Sequence, residues 1–212
     1  MILSPDELDV ANRYKLLVGG IVPRPIAWVS TQSRDGALNL APYSFCCGVG
    51  SDPMSVLFCP ANGSDGREKD SLVNADPANG VGEFVVNIVN ETQARAMAVT
   101  AETLPSGESE WELAGLEPTP SAAVRPPRVT GAPVAYECVT HQIVRLNPGA
   151  PSGGNIVIGR VVRVYVLDDL INERNHIDPD KLAAVGRMAG VTYCRTDARF
   201  DLPWGRAALE GM

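Results

Sequence analysis

Residues 22–45, VPRPIAWVSTQSRDGALNLAPYSF, hold two apolar runs separated by a polar turn. Arg24 stands between two prolines, each of which sets φ near −65° and lacks a backbone N–H donor. Such a start is typical of an edge segment, because a missing donor is tolerated where no neighbouring strand pairs. The stretch therefore predicts one strand at 22–31 and an antiparallel second strand at 38–46.

Four more strands are predicted further along the chain. Alternation of apolar and polar residues is strongest at 155–167 and recurs at 134–146, and the turn formers between them predict a hairpin. Shorter runs predict strands at 54–59 and 83–90. Six strands with short connections favour antiparallel neighbours and a closed or nearly closed barrel, since closure removes exposed strand edges.

Helices are predicted to be few and short. Helical patterns cover 66–75, 91–101 and 108–114, and Asp178 can cap another short helix that begins at the following proline. The proline-rich residues 117–133 predict an extended surface connection.

The totals describe an ordinary globular chain of one domain. It has 212 residues, of which 45% are hydrophobic and 20% charged, and a formal net charge of −7. That charge disfavours nucleic acid and anionic membranes as partners. Because no apolar run could span a bilayer and the acidic N-terminus lacks the basic start of a signal peptide, we expect a cytoplasmic protein without membrane association.

Residues for metal, acid–base or nucleophilic chemistry are sparse. The five cysteines lack the spacing of a disulfide framework. Cys46 and Cys47 are interpreted as small packing residues, the alternative being that one of them lies near a ligand. Cys138 and His141 lie three apart in a predicted strand, so they would point to opposite faces and could not share a metal ion. With two histidines, no nucleophile elbow and no phosphate-binding glycine loop, we predict no metal site and expect neither a hydrolase nor a kinase.

A local cluster of cations and hydroxyls remains in the first third of the chain. Residues 63–71 carry Arg67 and Lys69 at a predicted helix start, where backbone N–H groups and the helix dipole could add to the attraction for a phosphate. The alternative is that these charges form a solvated helix start.

Five short sequence blocks, which follow one another along the chain, resemble a known family. They are Pro23–Thr31, Asn39–Phe45, Lys69–Ser71, Gly82–Asn87 and Arg187–Tyr193. Together they resemble the flavin reductase-like, FMN-binding split-barrel family over about residues 14–200 of a single domain at 1–212. The resemblance implies a mainly β fold, a six-stranded antiparallel split β-barrel (Greek key) with a few short flanking helices. Departures from the family pattern fall at Ser71, Cys46 and Ala189.

The resemblance also implies a cofactor site. Ser30 and Thr31 would lie beside the ribityl chain and phosphate of FMN, and the backbone of Ala41–Phe45 along the isoalloxazine edge. For Arg24 the alternative is a salt bridge between subunits, and for Trp28 it is a place in the core. The expected cofactor-binding residues are Arg24, Trp28, Ser30, Thr31, Ala41, Pro42, Tyr43, Ser44, Phe45, Arg67, Lys69, Asp70 and Ser71.

The activity implied by the resemblance is that of an NAD(P)H-dependent flavin reductase that passes electrons through FMN to oxygen or a partner oxygenase. The two cofactors carry that chemistry, so no catalytic acid or base is required. A homodimer with FMN near the interface is also implied. One alternative is an FMN-binding electron-transfer protein without nicotinamide activity. A second is a barrel that binds single-stranded nucleic acid, which the net charge and the 6% aromatic content disfavour.

Overall fold

The computed structural model describes residues 1–104 and 108–209, so the predicted domain at 1–212 includes two short stretches outside the described residues. The strands are β1 Ala27–Gln32, β2 Leu38–Tyr43, β3 Cys46–Ser51, β4 Met54–Phe58, β5 Glu83–Ile88, β6 Pro118–Thr119, β7 Arg128–Val129, β8 Val134–Arg145, β9 Asn155–Val166, β10 Val185–Arg187 and β11 Tyr193–Arg195. The α-helices are α1 Val10–Gly20, α2 Asp70–Ala75, α3 Ala94–Val99, α4 Glu110–Leu113 and α5 Pro179–Leu182. Single 3-10 turns occupy Pro5–Glu7, Glu91–Gln93, Asp168–Leu170 and Gly205–Leu209.

The main sheet has seven antiparallel strands in the order β2-β1-β5-β8-β9-β4-β3. The prediction of a mainly β fold built on antiparallel strands is confirmed, but the sheet has seven strands and is open, where six strands in a closed or nearly closed barrel were expected. The predicted strand at 38–46 is in fact two strands, because the chain bends at Ser44 and Phe45 and continues as β3. No ladder joins β2 to β3 in the described sheet, so the sheet is open. Glycines at 48 and 50 interrupt the alternation that would have marked β3 in the sequence.

The open sheet is nevertheless rolled up around an inner core. Tyr43 of β2 packs against Phe58 of β4 with ring centroids 5.2 Å apart, although these strands lie near opposite ends of the sheet. Phe58 in turn contacts Phe84 of β5 at 5.1 Å. These contacts bring the two ends of the sheet together.

A second core covers the outer face of β1 and β2. Trp28, Leu40, Met97, Trp111 and Val129 belong to it, so α3, α4 and the segment after α4 form a layer over the sheet. The prediction of a surface connection at 117–133 was therefore wrong in part. That segment forms β6 and β7 and buries Val129 and Ala132.

The helical predictions hold for the later elements and miss the first. α5 begins at Pro179, and the Asp178 side chain accepts from the N–H groups of Asp180 and Lys181 as expected of an N-cap. α1 was not predicted, although Val10, Tyr14 and Leu17 follow the i, i+4, i+7 spacing of one helix face, and Val18 is its one buried residue. Among the described residues, the helices are all too short or too polar to cross a lipid bilayer.

Candidate functional site

β1 directs the paired hydroxyls of the opening stretch to opposite faces of the sheet. Ser30 is buried on the outer face and donates to the carbonyl of Pro127 at 2.5 Å. Thr31 is buried on the inner face, where its Oγ1 accepts from the amide nitrogens of Asn39 and Asn74, each at 3.1 Å. Consecutive strand residues alternate in direction, so Ser30 and Thr31 do not face one common ligand.

Trp28 shares the outer face with Ser30. Its indole N–H donates to Thr100 Oγ1 at 2.8 Å, and the side chain has no exposed surface. Of the two alternatives considered for Trp28, the structure places it in the core.

A polar network joins β2 to α2 on the inner face. Ser71 Oγ accepts from Asn39 Nδ2 at 2.8 Å and from Tyr43 Oη at 2.9 Å. Ser71 and Asn74 lie three residues apart and so share the helix face that meets Thr31. Asn39 and Asn74 were not predicted as site residues. Asn39 lies within the Asn39–Phe45 block, and the spacing of Asn74 from Ser71 could have indicated it.

The entrance to α2 carries the accessible charges. Lys69 is the N-cap residue, is exposed, and has no ion-pair partner among the described residues. Arg67 is also exposed but forms an ion pair with Asp65. Asp70, the first residue of α2, is exposed as well. Because α2 has only six residues, its dipole adds little, and the charge of Lys69 is the stronger feature here.

Two carboxylates lower the positive potential around this network. Burial raises the pKa of Tyr43 to about 12, and the charges of Glu110 and Asp70 act in the same direction. Glu110, from α4, accepts a hydrogen bond from the backbone N–H of Leu40 at 3.3 Å. Its own pKa is raised by partial burial and by Asp70. No sequence pattern pointed to Glu110, because only the packing of α4 on β2 brings it there.

Arg24 is a buried anchor of the segment that follows β2. It is 3% exposed, and its guanidinium donates to the carbonyls of Val18, Ile21 and Met188 at 2.7–3.0 Å. Its Nε donates to Ser44 Oγ at 3.2 Å. The Ser44 oxygen is thus an acceptor from Arg24, while its own hydroxyl proton has no acceptor among the described residues. Arg24 also makes no salt bridge with any other described residue.

The residues that a bound molecule could reach form a line along β2. Ala41, Pro42, Ser44 and Phe45 are partly exposed, and Lys69 lies next to Ser71 at the other end of the strand. From Asn39 to Phe45 an extended chain spans roughly 20 Å, which suits an elongated ligand. Because β2 pairs with β1 alone among the described strands, its other edge is open to such a ligand except where Glu110 accepts the Leu40 N–H.

The cysteine and histidine residues singled out in the sequence each have a different environment. The Cys46 thiol donates a hydrogen bond to the carbonyl of Pro25 at 3.3 Å, and burial raises the pKa of this thiol to about 12. Cys138 is buried in β8, whereas His141 occupies a bulge and is exposed. Within the described ranges, His, Cys, Asp and Glu residues form no group of three or more that could hold a metal ion.

Comparison with known proteins gives matches over almost the whole chain. A family model described as "Flavin reductase like domain" matches residues 19–193. Over 203 residues the chain is 36% identical to an uncharacterized protein of Halalkalibacterium halodurans, covering 95% of each. It is similar in structure to nitrilotriacetate monooxygenase component B from Bacillus cereus, with a TM-score of 0.88, 35% identity and coverage of 95% and 98% of the two chains. The 2-nitrobenzoate 2-nitroreductase NbaA from Pseudomonas fluorescens matches with a TM-score of 0.85, 31% identity and 97% coverage of both chains.

Proposed function

Because the chain belongs to the flavin reductase-like family, we propose that it binds FMN, is reduced by NADH or NADPH, and passes electrons to oxygen or a partner oxygenase. The observation that carries this proposal is the exposed Lys69 beside the Ser71–Tyr43–Asn39 network, at one end of the accessible edge of β2. The similarity to a protein named as component B of a monooxygenase supports the partner oxygenase.

The side chains present fit the chemical groups of FMN. A phosphate needs a cation that is not already paired, which Lys69 supplies, whereas Arg67 is matched by Asp65. A flavin ring needs hydrogen-bond donors at its edge, and the Ser44 hydroxyl is available for that role. Phe45 and Ala41 offer partly exposed apolar surface for the ring, whereas Pro42, next to Ala41 in β2, faces the other side of the sheet.

The buried residues of the predicted set support the site from behind. Arg24 would orient Ser44, and Thr31 and Ser71 would hold β2 against α2 through Asn39. Ser30 and Trp28 would fasten β1 to the outer layer. We propose that these residues act through the accessible ones and not by touching FMN.

A bound flavin would supply hydride-transfer chemistry, and the protein residues would bind and orient it. Lys69 would hold the phosphate, and Ser44 would donate a hydrogen bond to the ring edge. The Cys46 thiol stays protonated at neutral pH because burial raises its pKa to about 12, so it would contribute no thiolate nucleophile.

We further propose that the active form is a homodimer. β2 offers an open edge and not an enclosed pocket for a ligand, and a second copy would close the groove. α1 supports this arrangement, since Val10, Tyr14 and Leu17 of the helix and its C-cap residue Ile21 are exposed, while Val18 is its one buried residue. An apolar cavity of about 270 Å³ beside Pro23 and Pro25 is not the proposed flavin site, because Arg24 is the one lining residue that belongs to the expected cofactor-binding set.

The test is a visible absorption spectrum of purified protein with FMN, followed by anaerobic mixing with NADH or NADPH. We expect the flavin absorbance to bleach with at least one nucleotide and to return on admission of oxygen. A protein that holds FMN but is reduced by neither nucleotide would instead be an electron-transfer protein. Failure to bind FMN would contradict the proposal as a whole.

A second candidate function is the reduction of a nitroaromatic compound. The similarity to NbaA, at 31% identity over 97% of both chains, favours it. Adding 2-nitrobenzoate to the reduced protein under anaerobic conditions distinguishes the two functions. Reoxidation of the flavin with consumption of 2-nitrobenzoate would support the nitroreductase function, and unchanged absorbance would exclude that substrate.

A further inference from the structure

Arg145, at the end of β8, links the two flanks of helix α2. Its Nε donates to Glu68 Oε1 at 2.5 Å and its Nη2 to Glu68 Oε2 at 3.1 Å. The same Nη2 donates to Asp76 Oδ2 at 2.7 Å. Glu68 directly precedes the N-cap Lys69, and Asp76 directly follows the last residue of α2. One guanidinium therefore holds the chain immediately before and immediately after the helix.

The three side chains of this cluster are largely shielded from solvent. Arg145 is 27% exposed, and Glu68 and Asp76 are 26% and 11% exposed. The hydrogen bonds that Arg145 donates to Glu68 and Asp76 raise its pKa, so its charge persists at any working pH. Bidentate pairing of arginine with a carboxylate fixes orientation as well as distance, which a lysine cannot do.

We propose that Arg145 is a positioning residue for the FMN phosphate, which it serves by holding Lys69 and Ser71 in place. The inference rests on the proposed function, because it assumes that Lys69 binds the phosphate. Its physical basis is twofold. Arg145 fixes the start of α2, and it neutralises Glu68, which would otherwise compete with the phosphate for the neighbouring Lys69 ammonium.

The chain offers a matched control in Arg34. Its guanidinium donates to the carbonyls of Ala78 and Gly80 at 2.9 and 3.1 Å, so it secures the loop after α2 without reaching Glu68. Loss of either arginine should lower stability, but only the loss of Arg145 should disturb Lys69. Arg145→Lys keeps the charge without the fork and is the conservative variant.

The experiment measures the dissociation constants of FMN and riboflavin by fluorescence titration, well below the unfolding temperature of each variant. We expect Arg145→Gln to weaken FMN binding about tenfold and to leave riboflavin binding nearly unchanged. Arg145→Lys should recover part of the loss, and Arg34→Gln should not alter the ratio of the two constants. If Arg145→Gln does not fold, Arg145→Lys carries the test, and its FMN affinity should fall between wild type and Lys69→Ala.

The double variant with Lys69→Ala separates the inference from the proposed function. If Arg145 acts through Lys69, adding Arg145→Gln to Lys69→Ala should cause little further loss of FMN affinity. A selective effect of Lys69→Ala with none of Arg145→Gln or Arg145→Lys would overturn the inference alone. Equal losses for FMN and riboflavin in Lys69→Ala would overturn the phosphate site itself.

Discussion

At the scale of single residues, the site depends on which side chains are already committed within the chain. Arg24 and Arg67 both looked suited to an anion in the sequence, yet Arg24 is occupied by three backbone carbonyls and Arg67 by Asp65. Lys69 is the remaining cation of the predicted set and has no ion-pair partner among the described residues. A charge that is unpaired and exposed in the free protein can bind a phosphate without first breaking another contact.

Lys69→Ala should therefore weaken FMN binding by roughly tenfold or more, since one charge-assisted contact to the phosphate is lost. Riboflavin, which has no phosphate, should bind almost as before. Fluorescence titration of both flavins is the measurement, and Arg67→Ala is the control that removes a paired cation from the same loop. A larger loss of FMN affinity in Arg67→Ala than in Lys69→Ala would show that Arg67, and not Lys69, binds the phosphate.

At the scale of elements, α4 is held on the edge of β2 through Glu110. Its pKa is raised by partial burial and by Asp70, so the folded protein binds the proton of this carboxyl more tightly than the unfolded chain does. The stability from this group is greatest below the usual Glu pKa of 4.5 and falls as the pH rises through the raised value.

Glu110→Gln should remove that dependence, because glutamine keeps an oxygen acceptor for the Leu40 N–H but does not ionise. Relative to wild type, the variant should gain free energy of unfolding between pH 4 and pH 7, as measured by urea denaturation at several pH values within that range. Glu112→Gln, at an exposed position of the same helix, is the control. A constant difference between Glu110→Gln and wild type at all pH values would show that ionisation of Glu110 does not affect stability.

β9 packs against β5 at a point where only glycine fits. A Cβ on Gly159 would lie 2.3 Å from Phe84 Cζ and 3.0 Å from Cys138 Cβ. Gly159→Ala should lower the free energy of unfolding by about 1–3 kcal/mol, because the inner core must shift to admit the methyl group. Thermal or urea denaturation tests this. Gly48→Ala in β3, where a Cβ meets no atom within 4 Å, should change stability little and is the matched control.

At the scale of the whole molecule, the exposed apolar residues of α1 give the proposed dimer a surface that can be tested. Sedimentation equilibrium should give about twice the chain mass of 22.5 kDa. Leu17→Asp, at a position 50% exposed, should shift the protein towards the monomer because it adds a charge to a buried interface.

Leu146→Asp is the control for this prediction. It introduces the same change at a residue that is 68% exposed and belongs to the β8–β9 hairpin and not to α1. If wild type sediments as a monomer and still binds FMN, the groove does not need a second copy. If both variants dissociate equally, α1 is not the specific contact.

The sequence by itself determined the features that depend on neighbouring residues. The strands at 54–59 and 83–90, the long hairpin and the Asp178 cap agree with the structure within a few residues, because alternation and capping are local properties. The five ordered blocks identified the family for the same reason, since each block is contiguous in the chain.

Only the tertiary structure decided which of those residues meet. Rolling of the sheet brings Tyr43 to Phe58, and the packing of α2 and α4 on β2 brings Ser71 and Glu110 to the same strand. The link from Arg145 to Glu68 spans 77 residues of sequence. Such contacts arise from long-range packing and burial, which no local pattern encodes, and they determine which charges are paired and which remain free to bind a ligand.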